Sequence, residues 1–186
     1  MHLPGTVRLE TEKLILRQFT EADAESVYRN WASDPEVTRY LTWPTHTCVE
    51  MSRWYMDFCV ASYEVPSTFQ WGIELKETGE LIGNISVVHL DPESETAELG
   101  WVLGRSYWGR GIMPEAARKV IDFLFDEVGV SVIRAEHDVL NPKSGRVMQK
   151  LGMTREIPDP PDKPNNNGMA KLAGYRISRK EFERRR

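Results

Sequence analysis

The stretch "LGWVLGRSYWGRGIMPEAARKVIDFL", residues 99–124, runs from an apolar strand through Gly109 and Gly111 into an amphipathic helix opening at Pro114. Ala117, Val120, Ile121, Leu124, Phe125 and Val128 share one helical face, and Gly129 follows as a stop. "SVIRAEHDV" then reads as a strand returning to the same sheet. A strand, helix, strand unit of this kind crosses over right-handed, makes the two strands parallel and sets the glycine turn at the carboxyl end of the first. Backbone amides exposed at a helix N-terminus carry the positive end of the macrodipole and suit an anion, most often a phosphate. The competing reading is that the glycines only let strand and helix meet tightly.

The remaining elements are read from alternation and turn chemistry. "KLILRQF" is a first strand, and "TEADAESVYRNWA" a helix with Thr20 as N-cap supported by Asp23. "RYLTWPTHTCVEMSRWYMDFCVASY" is a second helical region broken at Trp43 and Pro44, restarting near Cys48 with Thr47 and Glu50 as a capping box. "TFQWGIEL" and "GELIGNISVVHL" form a hairpin, and "TAELGWVL" is the next strand. "NPKSGRVMQKLG" is a short helix and "GMAKLAGYRIS" a final strand, with Ser178 capping a last helical turn before a solvated "FERRR" tail. The biased segment "PDPPDKPNNN" has little prospect of regular structure.

A chain of 186 residues accommodates one domain, 1–186, with a real core. With 24 Lys and Arg against 28 Asp and Glu, the formal charge of −4 argues against a nucleic-acid partner and leaves room for a cationic one. No stretch has the apolar length of a signal peptide or membrane span, so the expected location is cytoplasmic, without membrane association. Cys48 and Cys59 read as reduced packing residues on one helical segment. His46, His89 and His137 offer no metal-ligand spacing, and no metal is expected.

The glycine turn fails two common phosphate motifs. Against a Walker A pattern, Arg110 stands where the Lys belongs and Gly111 where the Ser or Thr belongs. Against the dinucleotide pattern GxGxxG, the third glycine is replaced by Pro114. The turn instead resembles the acetyl-coenzyme A motif (Q/R)xxGx(G/A) of the GNAT superfamily of N-acetyltransferases. "LETEKLILRQFTEADAESVY", "DPEVTRYL", "GELIGNISV", "AELGWVLGRSYWGRGIMPEA" and "NPKSGRVMQKLGM" resemble, in order and spacing, its RimJ/RimL branch over residues 9–177. Trp108 departs from the motif's Gln or Arg, and Met113 from its small residue.

That resemblance implies an α/β (α+β) GNAT fold: a mixed, mostly antiparallel twisted sheet of about seven strands, a parallel crossover at the acetyl-CoA site and helices on both faces. It implies an enzyme that moves the acetyl group of acetyl-CoA directly to a primary amine, either a protein N-terminal α-amine or a small molecule. A GNAT-fold module that binds an acyl-CoA with little catalysis is the alternative. A homodimer is left open. The cofactor would be held by residues 108–113 (Trp108, Gly109, Arg110, Gly111, Ile112, Met113), mainly through backbone amides, with Arg110 either in a charge-assisted contact or solvated. Main-chain groups of Trp101, Val102 and Leu103 would pair with pantetheine. Asn141 and Ser144 match the family "NxxS": Asn141 would hold coenzyme A or the helix entry, and Ser144 the departing sulfur, unless both serve only as helix caps. Tyr40, Trp43 and Trp54 would wall the acceptor site.

The amine must lose a proton. A lysine amine of pKa ~10.4 is neutral in about one molecule per thousand or fewer at pH 7, whereas an α-amine near ~7.8 is neutral in more than a tenth, so a weak base suffices for the latter. Glu98, ten residues before Trp108 on the strand beside the expected thioester, is the candidate base. Its competing reading is an exposed cross-strand partner.

Overall fold

The computed structural model describes residues 1–185. Its strands are β1 (Leu9–Glu10), β2 (Leu14–Arg17), β3 (Gln70–Leu75), β4 (Glu80–Asp91), β5 (Thr96–Leu103), β6 (Val132–Asp138), β7 (Thr154–Arg155), β8 (Lys163–Asn165), β9 (Gly168–Ala170) and β10 (Leu172–Ser178). The α-helices are α1 (Ala24–Val27), α2 (Pro35–Thr38), α3 (Val49–Ser62), α4 (Ile112–Phe123), α5 (Pro142–Lys150) and α6 (Arg179–Glu183). Eight strands form one sheet in the order β1-β2-β3-β4-β5-β6-β10-β7, and β8 and β9 form a separate hairpin. Every neighbouring pair is antiparallel except β5 and β6, which run parallel, as the glycine-turn crossover requires. The mixed, mostly antiparallel sheet is that of the expected fold class, with eight strands rather than about seven.

Two buried clusters lie on opposite faces of the sheet. Ile82 and Ile85 pack with Ile112, Ala116, Val120 and Ile121 of α4, whereas Leu81 and Val102 pack with Val27, Trp31, Met56 and Cys59 under the N-terminal helices. Strand alternation sends Leu81 and Ile82 to opposite sides. By the same alternation Glu98 shares the face of Val102, towards the N-terminal helices. Arg17 forks onto Asp23 at 2.9 Å and onto Glu74 at 2.7 Å, tying β2 to β3 and to the turn that starts the first helical stretch.

Several local expectations need correction. The helix after the glycine turn begins at Ile112, two residues before Pro114, with Gly111 as N-cap. It continues as a π-helical turn over Leu124–Val128, which preserves the apolar face until Gly129 stops it at φ 85°. The Thr20–Asp23 cap forms, Asp23 accepting the Thr20 N–H at 2.7 Å. The next expected cap does not: Cys48 is the N-cap of α3, while the Thr47 N–H turns to the Met51 sulfur. Cys48 is therefore exposed, and only Cys59 packs in the interior.

The Pro- and Asn-rich segment contains half of the β8–β9 hairpin, because Lys163, Pro164 and Asn165 find partners in Ala170, Met169 and Gly168, the last at φ 111°. Phe182 is not part of a solvated tail. It is 1% exposed, against Phe125, on the helix capped by Ser178. Arg186, the last residue of the expected tail, lies outside the described residues.

Candidate active site

The site begins where two parallel strands part. β5 and β6 are paired from Thr96↔Val132 to Leu99↔Ala135 and no further. From Gly100 onward the β6-facing edge of β5 has no strand partner among the described residues, so its main-chain groups, apart from the Leu103 carbonyl that the Trp108 indole takes, are available to an extended ligand. The gap opens into a cleft of about 1370 Å³ lined by Glu98, Trp101, Val102, Leu103, Trp108, Gly109, Gly111, Asn141 and Ser144, among others.

The glycine turn forms one end. Gly109 and Gly111 both sit at φ 77°, the left-handed region that a Cβ disfavours, and a Cβ on either would meet nothing within 4 Å. Gly111 caps α4 without a side-chain bond, and the first-turn amides of Ile112 and Met113 have no intrahelical acceptor. The Ile112 and Met113 side chains are buried in the core, which fixes the helix start against the sheet. Open space over the turn, free N–H groups and the positive end of α4 together fit a diphosphate.

Trp108, in place of the motif's Gln or Arg, turns its indole inward. Its Nε1 donates to the Leu103 carbonyl at 2.7 Å, and the Lys143 ammonium lies 3.9 Å over its ring. Arg110 places its guanidinium 5.5 Å from the Tyr107 ring centre and does not line the cleft.

α5 forms the side wall. Asn141 occupies its N-cap position but makes no side-chain cap bond. Its own N–H donates to the Asp138 carbonyl at 2.7 Å, and Pro142 takes the first helical position. Helix capping is thus not what its side chain does. Lys143, Ser144, Arg146, Val147 and Lys150 follow along the cleft. Their spacing puts three cations on one face beside the glycine turn, a basic stripe that the sequence carried at i, i+3 and i+7.

The other end is acidic and aromatic. Glu98 is half-buried. Desolvation first, and then the Glu136 carboxylate, pushes its pKa above the usual carboxylate value, with Lys163, His89 and Arg134 pulling partly back. Glu136 and buried Asp138 lie on the neighbouring strand. Tyr40 and Trp43 line this end, and Trp43 stacks on Tyr55 with ring centres 6.2 Å apart. Trp54 does not join them: it is 70% exposed, because Ser52, Met56 and Cys59 set the buried face of α3 and turn it outward. The sequence also gave no sign of Glu136, Asp138 and Lys163 meeting here, since Lys163 belongs to the segment expected to lack regular structure.

The acetyltransferase (GNAT) domain family matches residues 13–154. The chain belongs to the GNAT acetyltransferase family. It is 34% identical over 148 residues to the uncharacterized N-acetyltransferase YoaA of Bacillus subtilis, covering 80% of this chain and 83% of that protein. A solved GNAT-family acetyltransferase from Bacillus anthracis superposes with a TM-score of 0.79 at 27% identity, over 94% of this chain and 100% of that one. RimL, a ribosomal α-N-protein acetyltransferase solved in complex with coenzyme A, shares the fold with a TM-score of 0.79 at 17% identity, over 92% of this chain and 98% of its own. This GNAT acetyltransferase is thus an acetyl-CoA-dependent acyltransferase. Among the described residues no group of three or more His, Cys, Asp or Glu could hold a metal ion, and no helix is long and apolar enough to cross a membrane.

Proposed function

We propose that this GNAT acetyltransferase transfers acetyl from acetyl-CoA directly to a primary amine in a ternary complex, with a protein N-terminal α-amine as the favoured acceptor. The observation that carries the reading is the two-ended cleft between β5 and β6. A backbone anion cradle and three cations lie at one end, and Glu98 lies among carboxylates and aromatics at the other. Coenzyme A, when bound, supplies the acetyl group as an activated thioester.

The chain's own residues do the rest. Backbone amides of residues 109–113, rather than a side-chain donor at Trp108, receive the diphosphate, and Lys143, Arg146 and Lys150 add positive potential. The free edge of β5, at Trp101 and the Leu103 N–H, orients the pantetheine arm, with Val102 lining the cleft beside it while its carbonyl lies against Gly83 of β4, and an N–H aimed at a developing oxyanion contributes about 3 kcal/mol. Glu98 takes the proton from the acceptor ammonium, its raised pKa bringing it closer to the working pH. Ser144 and Asn141 line the cleft, Asn141 without a side-chain capping bond, and hold the leaving sulfur and the cofactor arm. Tyr40 and Trp43 wall the acceptor.

The α-amine assignment is supported by the proton balance that a single carboxylate must meet and by the name that RimL carries. It is tested by competition between two peptides, one with a free N-terminal alanine and one with a blocked N-terminus and an internal lysine. Faster acetylation of the free α-amine is expected, and faster acetylation of the lysine overturns the assignment.

A further inference from the structure

Into the end of the cleft that would receive an ammonium, the chain sends one of its own. Lys163, at the start of β8, donates from Nζ to Glu136 Oε1 at 2.5 Å, and its charge acts on Glu98 as well. The bond to Glu136 holds the Lys163 ammonium more firmly protonated than a free lysine.

Its place is fixed from both sides. Asn165 Nδ2 donates to the buried Asp138 carboxylate at 2.8 Å. The Asn166 N–H donates to the Leu41 carbonyl at 3.1 Å, and Asn166 Nδ2 to the Thr38 and Trp43 carbonyls at 2.9 and 2.7 Å. Arg39 Nε donates to Asn167 Oδ1 at 3.1 Å. The β8–β9 hairpin thereby bridges the carboxyl end of β6 to the aromatic segment 38–43, and Lys163 hangs from the bridge. An isolated surface ion pair adds little to stability. A lysine delivered to two carboxylates by a latched hairpin has a more specific consequence, namely the charge of the molecule that fits beside it.

We propose that Lys163 is a specificity-determining residue that fills a second-cation subsite next to Glu98 and Glu136. The enzyme would then take acceptors with a single ammonium near the reacting nitrogen and reject short diamines and polyamines. Without Lys163, the paired carboxylates would favour a dication. With it, the second ammonium of a diamine meets a like charge where its counter-charge is already taken. This rests on the acetyl-transfer reading above.

The test uses two matched acceptor pairs: butylamine with 1,4-diaminobutane, and a peptide beginning with alanine with the same peptide beginning with 2,4-diaminobutyrate. For wild type, Lys163→Ala and Lys163→Arg, the readout is the ratio of kcat/KM for the dication to that for its monocation partner. A ratio internal to each protein is insensitive to partial loss of active enzyme. Lys163→Ala is expected to raise it by about tenfold or more, the effect of removing one like charge at short range. Lys163→Arg, which keeps the charge, should stay near wild type. A ratio unmoved by Lys163→Ala overturns the inference, including the case in which both members of a pair slow equally. A wild-type protein that acetylates no member of either pair overturns the proposed acceptor assignment, and the inference with it.

Discussion

Replacing Gly111 by Asp separates the anion cradle from the fold that carries it. In the folded protein the new side chain has room, because a Cβ at Gly111 meets nothing within 4 Å. The structural cost is therefore backbone strain alone: φ 77° is left-handed, and holding an L-residue there costs about 1–2 kcal/mol, with Asp at the tolerant end. For a chain of this length, about 1 kcal/mol corresponds to a fall of about 2–4 °C in Tm.

The cost to binding is larger. A carboxylate ~4 Å from a phosphate, at an effective dielectric constant near 20, repels it by about 4 kcal/mol. Because Gly111 is exposed, roughly half of this survives solvent screening. Displacing the ligand from amides that bond a charged group at about 1.5–3 kcal/mol each adds to it. Together these correspond to a loss of affinity of about two orders of magnitude or more. Isothermal titration with coenzyme A, beside thermal melting followed by circular dichroism, reads both numbers. A folded Gly111→Asp variant that binds coenzyme A as tightly as the parent would refute the reasoning and leave the turn as a packing device.

Other perturbations address the remaining residues. Glu98→Gln should lower kcat at neutral pH and recover part of it as pH rises. Wild-type activity should rise with pH through the raised pKa of Glu98, whereas the variant keeps only the slope set by the neutral fraction of the amine; an unchanged pH–rate profile assigns Glu98 to structure. Asn141→Ala should raise KM for acetyl-CoA with little change in Tm, because no capping bond is lost; a stability loss of about 1 kcal/mol with unchanged KM would return Asn141 to the role of a cap. Trp54→Ala should leave KM for the acceptor unchanged, and an increase in that KM would bring Trp54 back to the acceptor wall.

The parts of the molecule legible in the sequence are those set by short-range rules. The crossover at Gly109 and Gly111 was readable because helix period, glycine stop and parallel connection each constrain it locally. The Thr20–Asp23 and Ser178 caps follow from contacts three residues apart. Errors arose where a distant partner decides. Trp54 and Tyr55 are adjacent aromatics, and only the packing of α3 on Phe19 and Trp43 selects Tyr55 as the inward one. Lys163 and Asn166 carry no periodic signal, since their partners Glu136, Thr38 and Trp43 lie at least 27 residues away. Glu98 was singled out by its offset from the turn, but Glu136, which helps to raise its pKa, belongs to another strand, and Lys163, which pulls partly back, to a hairpin.

Catalysis itself is tested most directly by thiol release from acetyl-CoA in the presence of a panel of amines, with each product located by mass spectrometry and acetyl-CoA binding measured on the same preparation. The expected result is acceptor-dependent release of coenzyme A, with acetyl recovered on the amine and none retained on the protein when the acceptor is omitted. Tight binding of acetyl-CoA with no release across peptide α-amines, lysines and small amines would contradict it and make the protein an acyl-CoA-binding module.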